Sequence, residues 1–317
     1  MDLRVLTSAR AQVLHRFAKL LAASAVLLIL AGSLVTSHDA GLSVPDWPTS
    51  YGWNMFTFPP AMWVANIFYE HVHRLMASTV GFLTIIMAAW LWIAEPRRWL
   101  RWLGLGALGA VIAQGLLGGL TVLYFLPPAV STAHAGLAEI FFCMTVAIAL
   151  FTSPGWKAPP ATPADDAWLR RVASATTVAI YCQILIGATM RHTGAGLAIP
   201  DFPLMFGGLW PDHWNAGIGI HFVHRVGALV VAAASLGTSV YIWRRHTDHP
   251  ELTCPALLVL VFLAVQITLG AITVMSRRQP LINSLHVVGG ALTLTTSLVI
   301  TLRSWRIRMA GSRLGTK

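Results

Sequence analysis

Apolar residues run along this chain in eight blocks that are free or nearly free of charge: 20–37, 75–94, 102–125, 130–151, 172–190, 226–243, 252–275 and 281–302. At 1.5 Å of rise per residue, each block reaches about as far as a hydrocarbon core roughly 30 Å thick. Lipid offers the backbone no hydrogen-bond partner, so each block is expected to be a helix. The pattern predicts an all-α integral membrane protein with eight transmembrane helices.

Composition agrees. Of 317 residues, 56% are hydrophobic and only 11% charged, against roughly 25% charged in a soluble domain. Thirteen tryptophans suit a protein with aromatic side chains at membrane interfaces. A net charge of +10 would by itself suggest nucleic acid, but its distribution points to topology and to no nucleic-acid partner. Of the 22 Lys and Arg, 17 fall in the N-terminus, the loops near 95–101, 152–171 and 244–251, and the C-terminal tail. The opposite loops hold Arg191, Arg277 and Arg278, while Arg74 and Arg225 sit at span starts. The positive-inside rule then places both termini in the cytoplasm. A cleaved signal peptide could open the same way, but the first span has a later counterpart that cannot be cleaved off. Cys143, Cys182 and Cys254 lie in or at the ends of apolar blocks and are expected to be small buried groups.

The chain repeats itself. Gly41-Leu42-Ser43-Val44-Pro45-Asp46-Trp47-Pro48 returns as Gly196-Leu197-Ala198-Ile199-Pro200-Asp201-Phe202-Pro203. Glu70-His71-Val72-His73-Arg74 returns as His221-Phe222-Val223-His224-Arg225, QGLLGGLTV at 114–122 as QITLGAITV at 266–274, and His134 as His286. The offsets of 155, 151, 152 and 152 residues are nearly constant, which marks a duplicated unit. The expected organisation is a cytoplasmic N-terminus over 1–19 and a four-helix bundle over 20–151. A cytoplasmic linker over 152–171, a second bundle over 172–302 and a cytoplasmic tail over 303–317 follow. With an even number of spans each, the pseudo-symmetric tandem bundles are parallel, related by an axis along the membrane normal.

Of the twelve histidines, His15, His246 and His249 fall in predicted cytoplasmic segments, and His38, His192 and His213 in outer loops. His73, His134, His224 and His286 stand at the starts of spans two, four, six and eight, at similar depth in the outer leaflet. An imidazole in a span marks a site when it has no ordinary partner. A lone one is more often a helix-packing group, but two per bundle at matched depth form the axial pair of a haem iron. Zinc would ask for four ligands, often including thiolate. One bis-histidine haem site per bundle is the reading. Arg74 and Arg225 either pair with haem propionates or make structural contacts with loop carboxylates such as Asp46 and Asp201. Gln114 and Gln266 lie in glycine-rich stretches where close packing and helix cross-linking suffice as explanation.

Glu70-x-x-His73-Arg74, the stretch at 114–122, His224-Arg225 and His286 together resemble the haem A synthase family, its bacterial enzymes and their mitochondrial relatives, from about residue 25 to 300. The resemblance implies a multi-pass protein of the cell inner (plasma) membrane that oxidises the C8 methyl of haem O to the formyl of haem A for cytochrome oxidase. It implies that His73 and His134 face the substrate haem O, that His224 and His286 ligate haem b, and that Glu70 is the catalytic glutamate. Haem O synthase and cytochrome oxidase assembly are the implied partners, with an electron donor the sequence does not identify; a homo-oligomer is compatible with it. Many bacterial members carry a cysteine pair in the first outer loop, and residues 37–66 contain none. Glu139, within span four, has no assigned role. The alternative is a dihaem b-type electron-transfer cytochrome that modifies no haem; a haem carrier without redox turnover is a third reading. Glu70 discriminates, since pure electron transfer has no evident need for it.

Overall fold

The computed structural model describes residues 3–157 and 166–311, with eight long helices and no strand among them. These are α1 (Leu3–Ser37), α2 (Ala65–Ala94), α3 (Arg98–Leu123), α4 (Pro128–Thr152), α5 (Ala167–His192), α6 (Ala216–Arg245), α7 (Pro250–Met275) and α8 (Pro280–Gly311). All eight are long and apolar enough to cross a membrane. Proline opens α4, α7 and α8, where its missing N–H would have had no helical acceptor. Asp166 and Asn215 cap α5 and α6, accepting from the Leu169 and Ile218 N–H at 2.9 Å each.

The chain divides into two compact units, Met1–Lys157 and Ala158–Lys317. In the first, α1 packs on α2 and α4, and α3 packs on α2 and α4, so α2 and α4 lie diagonally across a four-helix bundle. In the second, α5 packs on α6 and α8, and α7 on the same two, so α6 and α8 are its diagonal pair. Hydroxyls cross-link the helices of the second unit: Thr176 Oγ1 meets Thr238 Oγ1 at 2.9 Å and Thr177 Oγ1 meets Ser297 Oγ at 2.8 Å. Such contacts hold helices together where lipid removes the hydrophobic incentive.

Several boundaries differ from the sequence reading. The second and sixth helices start at Ala65 and Ala216 rather than near 75 and 226. Their first three turns carry Glu70, His71, Arg74, His221 and Arg225, which a search for charge-free blocks discards although Glu70, His71 and His221 are buried and both arginines bond loop carbonyls. The four histidines therefore sit six to eight residues, about two turns, inside their helices and not at the starts. The 152–171 linker is also shorter than expected: a helical turn covers Pro154–Lys157 and α5 begins at Ala167, while 158–165 lie outside the described residues. The Arg170 guanidinium stacks over Trp305 at 5.4 Å, so a charge read as linker belongs to a packed helix end. Cys182 and Cys254 are exposed and only Cys143 is partly covered; an apolar span has a lipid-facing side, so apolar surroundings in sequence do not mean the core. His246 and His249 are buried, with Nε2 of His246 2.9 Å from Asp166 Oδ2 and Nδ1 of His249 2.9 Å from Glu251 Oε1.

Candidate functional site

Two outer loops of the same design precede α2 and α6. The Asp46 carboxylate accepts from the Tyr51 and Gly52 N–H at 2.7 and 2.8 Å, and Asp201 accepts from the Phe206 and Gly207 N–H at 2.8 Å each. The residues that donate have positive φ (52°, 76°, 57° and 80°), a conformation that glycine adopts freely and that the carboxylate holds in place at Tyr51 and Phe206. Burial works to raise both Asp pKa values, but the loop N–H donors outweigh it and hold the carboxyls below their ordinary range.

Each loop is fastened to its helix by the arginine after the histidine. Arg74 Nη1 donates to the carbonyls of Asp46 (2.7 Å) and Thr49 (2.9 Å), and Nη2 to that of Val44 (2.9 Å). Arg225 donates to the carbonyls of Leu204, Ile199 and Asp201 at 2.8, 3.2 and 2.6 Å. Of the two roles weighed for these arginines, loop contact is what the geometry displays, made to main-chain oxygens and not to the Asp carboxylates. At Arg74, four of the five guanidinium N–H donors are already engaged once the Glu70 bond is included.

Here the halves diverge. The Val44 N–H donates to Glu70 Oε2 at 2.8 Å, and Glu70 Oε1 accepts from Arg74 Nη2 at 2.6 Å, both with little exposure. In the second unit the Ile199 N–H donates to His221 Nδ1 at 3.2 Å. One architectural position thus holds a carboxylate paired with a guanidinium in one half and an imidazole in the other. A second exchange lies beside it: His71, fully buried, is flanked by Phe58 and Trp63 (4.9 and 4.7 Å between ring centres), where Phe222 meets Trp210 and Trp214.

The four histidines behind these loops occupy the diagonal helices, His73 on α2 opposite His134 on α4, and His224 on α6 opposite His286 on α8. The ring centres of His224 and His286 are 6.4 Å apart. Each imidazole rests against a glycine of a neighbouring helix: a Cβ at Gly32 would stand 2.9 Å from His73 Cε1, at Gly118 3.1 Å from His134, at Gly187 2.9 Å from His224 and at Gly270 3.0 Å from His286. Sequence reading missed Gly32 and Gly187, although their separation of 155 residues matches the loop repeat.

The donor set fits a haem. Two imidazoles facing each other across a bundle would be able to hold a haem iron between them, and the 6.4 Å between the ring centres of His224 and His286 is compatible with that role. Nδ1 of His73 and of His134 is buried with no hydrogen-bond partner, and all four residues keep some surface uncovered. Among the described residues no group of three or more His, Cys, Asp and Glu is placed to hold a metal ion. Glu139 is buried with Oε2 unpartnered. Five residues past His134 on α4, it is turned about 140° from that ligand candidate, so it does not share its face.

Comparison with known proteins covers almost the whole chain. The model of a family described as cytochrome oxidase assembly protein matches residues 15–298. The haem A synthase of Symbiobacterium thermophilum is 31% identical over 84% of this chain and 88% of its own. That of Halalkalibacterium halodurans is 25% identical over 90% and 95%, and that of Caulobacter sp. 28% over 89% and 92%.

Proposed function

This chain belongs to the haem A synthase family of cytochrome oxidase assembly proteins, and from that premise we propose that it oxidises the C8 methyl of haem O to the formyl group of haem A. The family makes it a membrane-embedded oxidoreductase that acts on haem; the particular reaction and the residues are our reading. Written with water as the oxygen source, the conversion is –CH3 + H2O → –CHO + 4 H+ + 4 e−: two of the four protons come from the methyl carbon and two from water, and an external electron acceptor takes up the four electrons. His73 and His134 hold the substrate haem, and His224 and His286 ligate a haem b. That haem b, when bound, supplies one-electron transfer.

The observation that carries this reading is the replacement of His221 by Glu70 at an otherwise duplicated position. A duplicated electron-transfer site has no use for a different group in one half, whereas methyl oxidation needs a base on the substrate side only. Glu70 lies one turn before His73 on α2, on the same face. Its carboxylate takes up protons at Oε1 or Oε2, and Arg74, 2.6 Å away, stabilises the ionised form. The loop from Val44 to Thr49, clasped by Arg74, closes the outer end of the bundle and excludes water. Both termini lie in the cytoplasm on this reading, so both haem sites face the outer leaflet.

The test is co-expression with a haem O synthase in a host that makes no haem A, followed by chromatography and mass analysis of the extracted haems. Wild type is expected to yield haem A. Glu70→Gln keeps an acceptor for the Val44 N–H, so the protein folds and binds haem but makes none. Near wild-type haem A from Glu70→Gln would remove the base assignment and favour a dihaem electron-transfer cytochrome.

A further inference from the structure

The two halves support their histidines differently. In the second unit Gln183, on α5, brings Nε2 to 3.0 Å from His224 Nδ1 and donates to the His224 carbonyl at 2.7 Å. On α7 the main-chain carbonyl of Gln266 accepts from His286 Nδ1 at 3.0 Å, and the Gln266 side-chain amide lies 3.5 Å from His286 Nε2. Both glutamines lie four residues before the glycine on which the histidine rests, Gly187 and Gly270, and so on the same helix face.

Room for these amides comes from a second pair of glycines. Gly227 and Gly289 each lie three residues after a histidine, His224 and His286. A Cβ at Gly227 would collide with Gln183 Oε1, and one at Gly289 with Gln266 Oε1. In the first unit the matching positions are Met76 and Leu137, and Leu28 stands where Gln183 does. Gln114 is retained, but it donates to the His134 carbonyl at 2.9 Å. The result is an imidazole Nδ1 with a partner at both histidines of the second unit, and a buried Nδ1 with none at both histidines of the first.

A metal-bound imidazole offers its other nitrogen to a second partner, which fixes the tautomer and ring orientation and raises ligand basicity. A glutamine amide serves either tautomer, and the unpartnered Oε1 of Gln183 is an acceptor available to Nδ1–H once the ring binds metal through Nε2. We infer that the Gln183 side chain over Gly227, acting on His224, and the Gln266 main-chain carbonyl, acting on His286, form a ligand clamp that makes the second unit retain its haem, and that its absence from the first unit lets a haem enter and leave as substrate and product. Gln183 is a positioning residue acting through His224. The inference rests on the assignment of those histidines as haem b ligands.

Purified holoprotein is mixed with excess apomyoglobin, and haem transfer is followed by absorbance together with the midpoint potential of the haem that remains. Loss of an outer-shell partner weakens metal binding about 10–100-fold, so Gln183→Leu is expected to release haem faster by a factor of that order. The residual haem is expected at a higher potential, because a less basic ligand stabilises the ferric form less. Gln183→Glu, which keeps donor and acceptor when protonated, restores retention. Gly227→Ala displaces the amide with Gln183 intact and serves if Gln183→Leu does not fold; it is expected to shift the potential in the same direction. Wild-type release rate and unchanged potential in these variants overturn the clamp. His286→Ala separates the two ideas: if it keeps haem b, the ligand assignment itself fails, and if it loses haem while Gln183→Leu behaves as wild type, only the clamp does.

Discussion

The glycine seats allow the haem-holding geometry to be perturbed by one methyl group. Consider Gly187→Ala. The added Cβ would lie 2.9 Å from His224 Cε1 and 3.3 Å from Nδ1, where an ordinary contact is at least about 3.4 Å. The ring must therefore retreat by roughly 0.5 Å, the tolerance within which a first-shell group has to be held. Overpacking of this kind costs about 1–3 kcal/mol. If the ring relieves that strain by turning away when no haem is bound, the whole cost falls on haem binding and weakens it about 5–150-fold. Gly237→Ala is the control, since a Cβ there meets nothing within 4 Å and alanine raises helix propensity. The assay is haem content per protein after size-exclusion chromatography, with thermal unfolding of the same samples. Gly187→Ala is expected to be haem-poor and folded, and Gly237→Ala haem-replete. Equal haem content in the two would show that the imidazole is not seated as described, and the bis-histidine geometry would lose its support.

Three other outcomes are expected. A reporter fused after Lys317 reads as cytoplasmic and one inserted beside Asn54 or Asn215 as external; inverted signals would move both sites to the inner leaflet. His286→Ala loses the haem b spectrum while the first unit still binds added haem, as difference spectroscopy of the purified protein would reveal; an unchanged haem b spectrum would exclude His286 as a ligand. The outer loops respond to acid alone: Asp46 and Asp201 have folded pKa values below their ordinary one, so their contribution is present above about pH 4 and is lost as pH falls through the folded value. Protection of the loops from protease is then flat from pH 8 to 5 and falls below about 4; a loss near pH 6 would implicate other groups.

The eight spans were legible because lipid imposes one rule on every residue of a span, and blocks such as 102–125 and 252–275 obey it without exception. Helix starts were not, because Glu70 and Arg74 satisfy one another and the loop carbonyls inside α2, and such pairing leaves no mark on an apolar count. The histidine pairs were legible through duplication. Their seats were harder to see: glycine is commonplace in membrane helices, and only contact with a ring distinguishes Gly32 or Gly187 from Gly81 or Gly237, which meet nothing. Gln183 escaped notice for the opposite reason. It has no counterpart, since Leu28 occupies its place, and a search for matching residues passes over a residue that matters by failing to match.

Duplication makes the differences between halves more informative than the likenesses. Shared elements (the Asp-closed loop, the arginine clasp, the glycine-seated imidazole) occur in both halves, so they do not separate an enzyme from a cytochrome. The exchanges are confined to what surrounds those elements. Around the loop clasp, His221 becomes Glu70; around the rings, Gln183, Gly227 and Gly289 become Leu28, Met76 and Leu137. The first exchange adds a proton-accepting group to the first unit, and the second removes the partner of Nδ1 from that same unit. A base beside firmly clamped ligands would meet the same haem indefinitely, and loosened ligands without a base would exchange haem unchanged. Their coincidence in one half is what the proposed turnover of haem at that site requires.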